Sequence, residues 1–200
     1  MKSIFLCHIL LTWAVFSLAL APVQAQTSKS QSGLYMSAAD YQNNKLSFAG
    51  YDGKAHKIRL KDLWGSRNLE VVHDGQKYRF HKDKVFAYQD SKRRVFRFFN
   101  NYSNEYQILE NKTVVIYSMK VNETASKGIR SVTRYFFSVS LEGDIIPLTL
   151  EKIKDAFPND YKLHDELDKF FRKDEELVVY DRRHQSYRVN YVLGSYLSPH

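Results

Sequence analysis

Residues 69–80 read Leu-Glu-Val-Val-His-Asp-Gly-Gln-Lys-Tyr-Arg-Phe and fix the register of one β-hairpin. Asp74 and Gly75 separate two runs of β-forming residues and are a preferred pair for a type I′ turn, because both turn positions take positive φ. A two-residue turn pairs His73 with Gln76 and thereby fixes every pair behind it. Alternation along the two strands then predicts a core face made of Leu69, Val71, Tyr78 and Phe80.

This register also places the polar residues of the hairpin. Glu70 lies opposite Arg79, and we expect an ion pair between them on the solvent side. His81 lies opposite Asn68, so its side chain projects to the other face from that of His73. These two histidines therefore cannot bind one metal ion in this geometry.

Outward from the hairpin, residues 46–148 contain short runs rich in Val, Ile, Tyr and Phe, separated by turn residues. This spacing is typical of an antiparallel sheet or a partly closed barrel. The predicted strands are 46–49, 56–60, 69–73, 76–80, 85–89, 94–99, 106–109, 113–119, 132–140 and 144–147.

After Pro147 the apolar residues recur every three or four positions, as in helices. The predicted helices are one capped by Thr149 and ended by Pro158, one starting at Asn159 or Asp160, one starting at the acidic run 174–176, and one after Ser186. The expected fold class is therefore α+β, with an antiparallel β-sheet or partly closed barrel followed by three or four packed C-terminal helices.

The N-terminal residues have the pattern of an export signal. Lys2 precedes an apolar run over residues 4–20, and the small residues Val23 and Ala25 suit cleavage after Ala25. An uncleaved anchor is the alternative, although polar residues interrupt the run. We expect a secreted or periplasmic protein with no transmembrane helix after signal cleavage.

The remaining chain is divided by composition. Residues 26–44 are predicted to form a polar leader and a short helical turn, which Ser37 caps. Residues 45–200 are predicted to form a single α+β domain, β-rich over 45–148 and helical over 149–200. With 44% hydrophobic residues, 26% charged residues and a formal net charge of +8, the chain is typical of a globular, basic protein.

Sequence motifs for common chemistries are absent. Cys7, the one cysteine, lies in the predicted signal, which excludes disulfides, thiolate metal sites and cysteine nucleophiles from the mature chain. HExxH, GxSxG, GxxxxGKS/T and GxGxxG do not occur, so no metal and no cofactor are expected. Glu105, Glu110 and Asp144 could belong to a hydrolase site, but carboxylate pairs assemble in space and cannot be paired from sequence.

Basic residues are the strongest surface feature. On the predicted strand 94–99, Arg94 and Arg97 point to opposite faces, and the simplest interpretation places aromatic rings in the core and cations in water. A patch therefore needs turn residues joined to a neighbouring segment. The candidate polyanion-binding residues are Lys54, Lys57, Arg59, Lys92 and Arg93.

Several short stretches together resemble a known family. They include Ser-Gly-Leu-Tyr-Met-Ser-Ala-Ala-Asp-Tyr at 32–41, Tyr-Gln-Ile-Leu-Glu at 106–110 and Asp-Ile-Ile-Pro-Leu-Thr at 144–149. These stretches and their order along the chain resemble those of an uncharacterised family of small exported proteins of Bacteroidetes-type bacteria. The resemblance implies a periplasmic or exported location and carries no catalytic residue with it.

The leading hypothesis is an exported, non-enzymatic binding or interaction module of the bacterial envelope. Its partner would be an envelope protein or an anionic glycan, and nucleic acid is disfavoured because an exported protein rarely meets RNA and the glycines of the RNP1 pattern are missing. The alternative is a hydrolase with a spatially assembled carboxylate site. A deep pocket with two carboxyls, or with a His and a carboxylate, would favour the enzyme, and a shallow groove or apolar patch would favour binding.

Overall fold

The computed structural model describes residues 30–60, 67–99, 104–125 and 128–197. The predicted signal peptide and its cleavage site lie outside the described residues. The strands are β1 (Ser32–Tyr35), β2 (Ser47–Gly50), β3 (Lys57–Leu60), β4 (Asn68–His73), β5 (Gln76–His81), β6 (Ala87–Gln89), β7 (Val95–Phe99), β8 (Asn104–Asn111), β9 (Val115–Ala125), β10 (Gly128–Ser138), β11 (Ile146–Pro147), β12 (Tyr180–Asp181) and β13 (Ser186–Tyr187). The α-helices are α1 (Ala38–Gln42), α2 (Leu150–Ala156), α3 (Tyr161–Phe170) and α4 (Arg188–Leu197).

Eight of the strands form one sheet in the order β11-β10-β9-β8-β7-β6-β1-β2. Its strand pairs are antiparallel, and β11 and β2 stand at its two ends, so the sheet is open. A second sheet has the order β3-β4-β5, and β12 pairs with β13. The predicted α+β class with an antiparallel sheet is confirmed, and the sheet does not close into a barrel.

The hairpin formed by β4 and β5 has the predicted register. His73 pairs with Gln76, and Asp74 and Gly75 have φ of 50° and 76°. The predicted position of Glu70 on the solvent side is wrong, because only 8% of this residue is exposed. Its carboxylate accepts a hydrogen bond at 3.2 Å from Arg59, which lies directly opposite it on the neighbouring strand β3.

Successive registers carry one row of side chains across the large sheet. We call it the central row, and its members are Leu34, Tyr88, Phe96, Gln107, Ser118 and Tyr135. Because side chains directly opposite each other lie on the same face of a sheet, all six define one face. We call this the groove face.

Two separate cores cover the two ends of the groove face. At the β1 end, Leu34 and Phe98 pack with Leu69 and Val71 of the three-stranded sheet. At the β10 end, the buried residues come from β9, β10 and the C-terminal helices, and they include Ile116, Phe137, Leu163, Leu167 and Leu193. The middle of the central row lies between these two cores.

The opposite face of the large sheet has its own cover. Tyr106 and Tyr117 pack there with Ala38 of α1 and with Leu141 and Ile145 of the segment between β10 and β11. Helix α1 and the loop between β10 and β11 thus complete a three-layer arrangement around the sheet.

The N-terminal strand β1 lies inside the segment that was predicted as a polar leader. All four residues of β1 are buried between β2 and β6. Gly33 makes this possible, because a Cβ at this position would lie 3.0 Å from the carbonyl oxygen of Ser47. Ser32 and Gly33 look like leader residues by composition, but they are small for a packing reason.

A bulge in β2 links the two larger sheets. Ser32 pairs with Gly50 and Leu34 with Ser47, so that two residues of β2 oppose one of β1. Phe48 sits in the bulge with φ of 49° and packs its ring 4.9 Å and 5.1 Å from the rings of Tyr78 and Phe80.

The helix caps agree with the sequence in three cases. Ser37 accepts a hydrogen bond from the Asp40 amide, Thr149 from the Lys152 amide, and Asp160 from the Leu163 amide. The predicted helix starting at Asp174 is wrong. Residues Asp174–Glu176 form a single 3₁₀ turn, and the chain then enters the short hairpin of β12 and β13.

The hairpin of β9 and β10 extends past the rest of the sheet. Within the described residues, β8 pairs with β9 only from Val115 to Ser118, and β11 pairs with β10 only at Phe136 and Phe137. Residues 119–125 and 128–134 are paired with each other alone, and we call this part the arm.

Replacing Gly75 by Ala should lower the free energy of unfolding by about 1 kcal/mol, because an L residue is strained at this positive φ. The measurement is urea denaturation of the two proteins. Gly53→Ala is the matched control, since a Cβ at Gly53 meets nothing closer than 3.8 Å. Equal stability of both variants would contradict the turn assignment.

Candidate functional site

A groove of about 610 Å³ opens on the groove face between the two cores. Its floor is the middle of the central row, and residues of five neighbouring strands and of the turn before β7 contribute. The lining residues are Tyr88, Arg94, Phe96, Asn104, Glu105, Gln107, Ser118, Met119, Lys120 and Thr133.

Aromatic rings form one part of the groove. The rings of Tyr88 and Phe96 are stacked, with centroids 5.0 Å apart and planes 14° from parallel. The guanidinium of Arg94 lies over the Phe96 ring at 5.4 Å from its centroid. Asp90 holds the arginine in place by accepting a hydrogen bond from its Nε at 2.7 Å. The result is a stack of Tyr88, Phe96 and the Arg94 guanidinium in one part of the groove.

Hydrogen-bonding side chains form the other part. Tyr88 donates its hydroxyl proton to Glu105 at 2.7 Å, so this carboxylate is oriented by the aromatic part of the groove. Gln107 and Ser118 lie opposite each other on β8 and β9, followed by Lys120. The groove therefore offers donors, acceptors and a second cation next to an aromatic surface.

The polar surface continues along the arm. Lys120 pairs with Thr133 and Asn122 pairs with Ser131, and alternation places all four side chains on the groove face. On the opposite face of the arm, Arg134 and Arg130 both contact Glu123 and lower the pKa of its carboxyl.

The predicted polyanion-binding residues lie on two segments at the N-terminal end of β1. Ser30 donates to the carbonyl of Ser91 at 3.2 Å, which brings the turn with Lys92 and Arg93 to this end. Ser32 contacts Asp52 and so brings the loop with Lys54 there too. Lys57 and Arg59 are exposed on β3, where Arg59 pairs with Glu70. These contacts bring the two basic segments together but do not involve the basic side chains themselves. The polyanion-binding patch therefore stays a prediction.

The expectation that the cations of the 94–99 strand lie in water is wrong for Arg97. This residue is 7% exposed and faces the side opposite to Arg94. Its Nη1 donates to the Tyr117 hydroxyl at 3.1 Å and to the Gly143 carbonyl at 3.0 Å. The rings of Phe86 and Phe99 flank the guanidinium, each 5.5 Å from it, so cation–π contacts offset its desolvation.

The three candidate carboxylates are not brought together. Glu105 lines the groove, whereas Glu110 accepts hydrogen bonds from Ser186 and from Asn190 of α4. Glu110 reaches α4 because a bulge at Leu109 shifts the register of β8. Asp144 is exposed in the loop before β11. Each carboxylate thus belongs to a different part of the fold.

A buried cluster of polar side chains joins the large sheet to β3 and β4. Ser32 Oγ lies 3.0 Å from His56 Nε2 and 2.5 Å from Asp52 Oδ1, and His56 Nδ1 lies 3.4 Å from His73 Nδ1. Ser32 is 2% exposed and His56 is 5% exposed. A Cβ on Gly50 would lie 2.5 Å from His56 Cγ, so glycine is needed where the imidazole packs.

The direction of the hydrogen bonds in this cluster excludes a serine nucleophile activated by His56. A carboxylate can only accept, so Ser32 donates its proton to Asp52, and His56 Nε2 must then donate to Ser32. A catalytic histidine has to accept the serine proton, which is the reverse direction. The cluster is best explained as a satisfied polar contact between two sheets.

This cluster was not predicted from the sequence. The signal was present, because the register that pairs Lys57 with Val72 also sets His56 beside His73. Within the described ranges, no group of three or more His, Cys, Asp or Glu side chains is arranged to hold a metal ion. No helix in the described part of the chain has the length and apolar character to cross a membrane.

Comparisons with family models, with curated proteins and with solved structures found no match to this chain.

We predict that the free energy of unfolding declines as the pH falls from about 7.5 to about 5.5. Burial and the neighbouring His73 lower the pKa of His56. The unfolded chain therefore takes up the proton more readily, and the stability linked to neutral His56 is lost as the pH falls below the ordinary histidine pKa of about 6.5.

Urea denaturation at both pH values measures this effect. His56→Gln should flatten the decline, whereas His184→Gln, which removes an exposed imidazole outside the cluster, should not. If the free energy of unfolding of the His56→Gln protein declined as steeply with pH as that of the wild type, the assignment of the decline to His56 would be wrong.

Proposed function

We propose that this protein is an exported, non-enzymatic binding module of the bacterial envelope and that it binds an anionic glycan in the groove. The observation that carries the proposal is the composition of the groove, where the stacked rings of Tyr88 and Phe96 lie beside Arg94, Lys120 and a set of polar side chains. An acidic glycan is a ligand class that can use all three features together.

Each feature matches one part of an acidic sugar. The apolar face of a pyranose ring can lie against the partly buried ring of Phe96 where that ring lines the groove. Its hydroxyls can exchange hydrogen bonds with amide and hydroxyl side chains such as Gln107 and Ser118. Carboxylate or sulfate groups can pair with Arg94 and Lys120 in charge-assisted hydrogen bonds.

The geometry supports binding better than hydrolysis. Glycoside hydrolysis generally uses a pair of carboxyl groups on either side of the bond that is cleaved. Among the described residues that line the groove, Glu105 is the one carboxylate. The groove also continues along the arm as a polar strand face, as expected for a binding surface.

The proposal of export rests on the sequence of residues 1–25 and on the resemblance to exported proteins. A second polyanion site at Lys54, Lys57, Arg59, Lys92 and Arg93 is supported by the contacts that bring two basic segments to one end of β1. Arg94 of the groove is two residues from Lys92, so the two locations are distinguished by Lys120 on the arm, which belongs to the groove alone.

Affinity for a heparin-derived oligosaccharide and for an oligogalacturonate, measured by calorimetry at low salt, tests the groove. Lys120→Glu should weaken binding about tenfold, because a favourable charge pair becomes repulsive. Phe96→Leu should weaken it by a similar factor through loss of the aromatic surface.

Lys162→Glu makes the same charge change on exposed α3 and is the matched control, which should bind like the wild type. Lys92→Glu reports on the second site. If Lys92→Glu abolishes binding while Lys120→Glu leaves it intact, the ligand lies at the β1 end and the groove proposal is wrong. Failure of both glycans to bind would also overturn it.

A further inference from the structure

The outer edge of β10 is largely uncovered within the described residues. β11 pairs with β10 at Phe136 and Phe137, and the Leu148 amide donates to the Tyr135 carbonyl at 3.0 Å. The chain then leaves the edge. In an antiparallel strand every second residue directs its N–H and C=O to the same side. Continuing from Tyr135, the outward groups belong to Thr133, Ser131 and Ile129.

This edge forms one wall of a second groove of about 470 Å³. The opposite wall comes from the end of β11, the start of α2 and the 3₁₀ turn. The lining residues are Val132, Thr133, Arg134, Tyr135, Phe136, Pro147, Leu148, Thr149, Asp174, Glu175 and Val178. This second groove, which we call the slot, therefore runs along β10 and not across it.

Two residues keep the slot from being filled by the chain itself. Thr149 caps α2 by accepting a hydrogen bond from the Lys152 amide, so the chain leaves the edge of β10 directly after Leu148. Asp174 accepts a hydrogen bond from the Leu150 amide at 2.8 Å and so anchors the opposite wall at the start of α2. The wall that Asp174 anchors is thus separated from the edge of β10. Within the described residues, the outward N–H and C=O groups of β10 remain available.

The chemistry of the slot identifies its occupant. Outward backbone groups that repeat every two residues along a strand are matched by another extended polypeptide, which is the basis of recognition by strand addition. Tyr135, Leu148 and Val178 provide an apolar surface for one side chain of such a segment. Exposed Glu175 adds negative charge to the wall.

We propose that the edge of β10 binds an extended peptide segment of a partner protein as an added antiparallel strand, with an apolar side chain in the slot and a basic side chain beside Glu175. Thr133 lines both this site and the glycan groove, whereas Glu175 lines this site and is not among the residues of the groove. The peptide site does not depend on the proposed glycan function.

The probe is a labelled synthetic peptide, acetyl-Val-Thr-Val-Lys-Val-Thr-amide, titrated into the full chain by fluorescence anisotropy. The matched control is the same peptide with alternate backbone nitrogens methylated. Methylation keeps the side chains and blocks strand pairing. We expect the methylated peptide to bind about tenfold or more weakly, since main-chain hydrogen bonds supply the affinity in this mode.

Two variants locate the site. Thr133→Pro removes one outward N–H without removing a bond to β9, and it should weaken the peptide by about tenfold. Glu175→Lys should weaken it through charge repulsion and should leave glycan binding unchanged. Glu142→Lys, at another exposed position, is the matched control for charge. Glu175→Lys also keeps the test valid if the proline variant is poorly folded.

Equal binding of the two peptides, equal affinity of Glu175→Lys and Glu142→Lys, or no binding of the unmethylated peptide would each overturn the proposal. A concentration-dependent dimer that Thr133→Pro disrupts would overturn it too, because the occupant of the edge would then be a second copy of this chain.

Discussion

The alternation of side chains across the eight-stranded sheet is the constraint on which the other features depend. It sets Leu34, Tyr88, Phe96, Gln107, Ser118 and Tyr135 on one face, with apolar residues at both ends of the row and polar residues in its middle. Each apolar end needs a cover, and the three-stranded sheet and the C-terminal helices supply the two covers separately. Since burying an amide or a hydroxyl without a partner is costly, a single cover over the whole face would have lost stability at Gln107 and Ser118.

The two sheets are held together by contacts of different kinds. Phe48 reaches Tyr78 and Phe80 from a bulge, which gives an apolar contact that is insensitive to pH. Ser32, His56 and His73 form a polar contact a few residues away, in which each hydrogen has a defined direction. Phe96 is partly buried against the core that β1 shares with the small sheet, and it also lines the groove. The contact between the two sheets and the groove are therefore linked through this ring.

Local features could be predicted from the sequence, whereas features that depend on distant pairing could not. The register of the β4–β5 hairpin followed from Asp74 and Gly75, and three helix caps followed from single residues. β1 was not predicted, since its small residues are explained only by the backbone of β2 that passes over Gly33. The helix starting at Asp174 was predicted from its acidic first turn, but the chain turns instead to place Leu177 in the helical core. The groove combines residues from separate strands, and no local pattern marks them as a set.

The buried Arg97 shows why the face opposite the groove is closed. Arg94 and Arg97 come from the same basic run, and the alternation of the strand sends one to each face. On the groove face Arg94 is half exposed, pairs with Asp90 and leaves part of Phe96 accessible. On the other face Arg97 lies between two rings and donates to Tyr117 and to Gly143, whose loop packs over the sheet. A buried cation is tolerated only with such partners, so this arginine fixes the loop in place. One face is thereby occupied by structural contacts, and among the described residues the middle of the groove face and the edge of β10 are left uncovered.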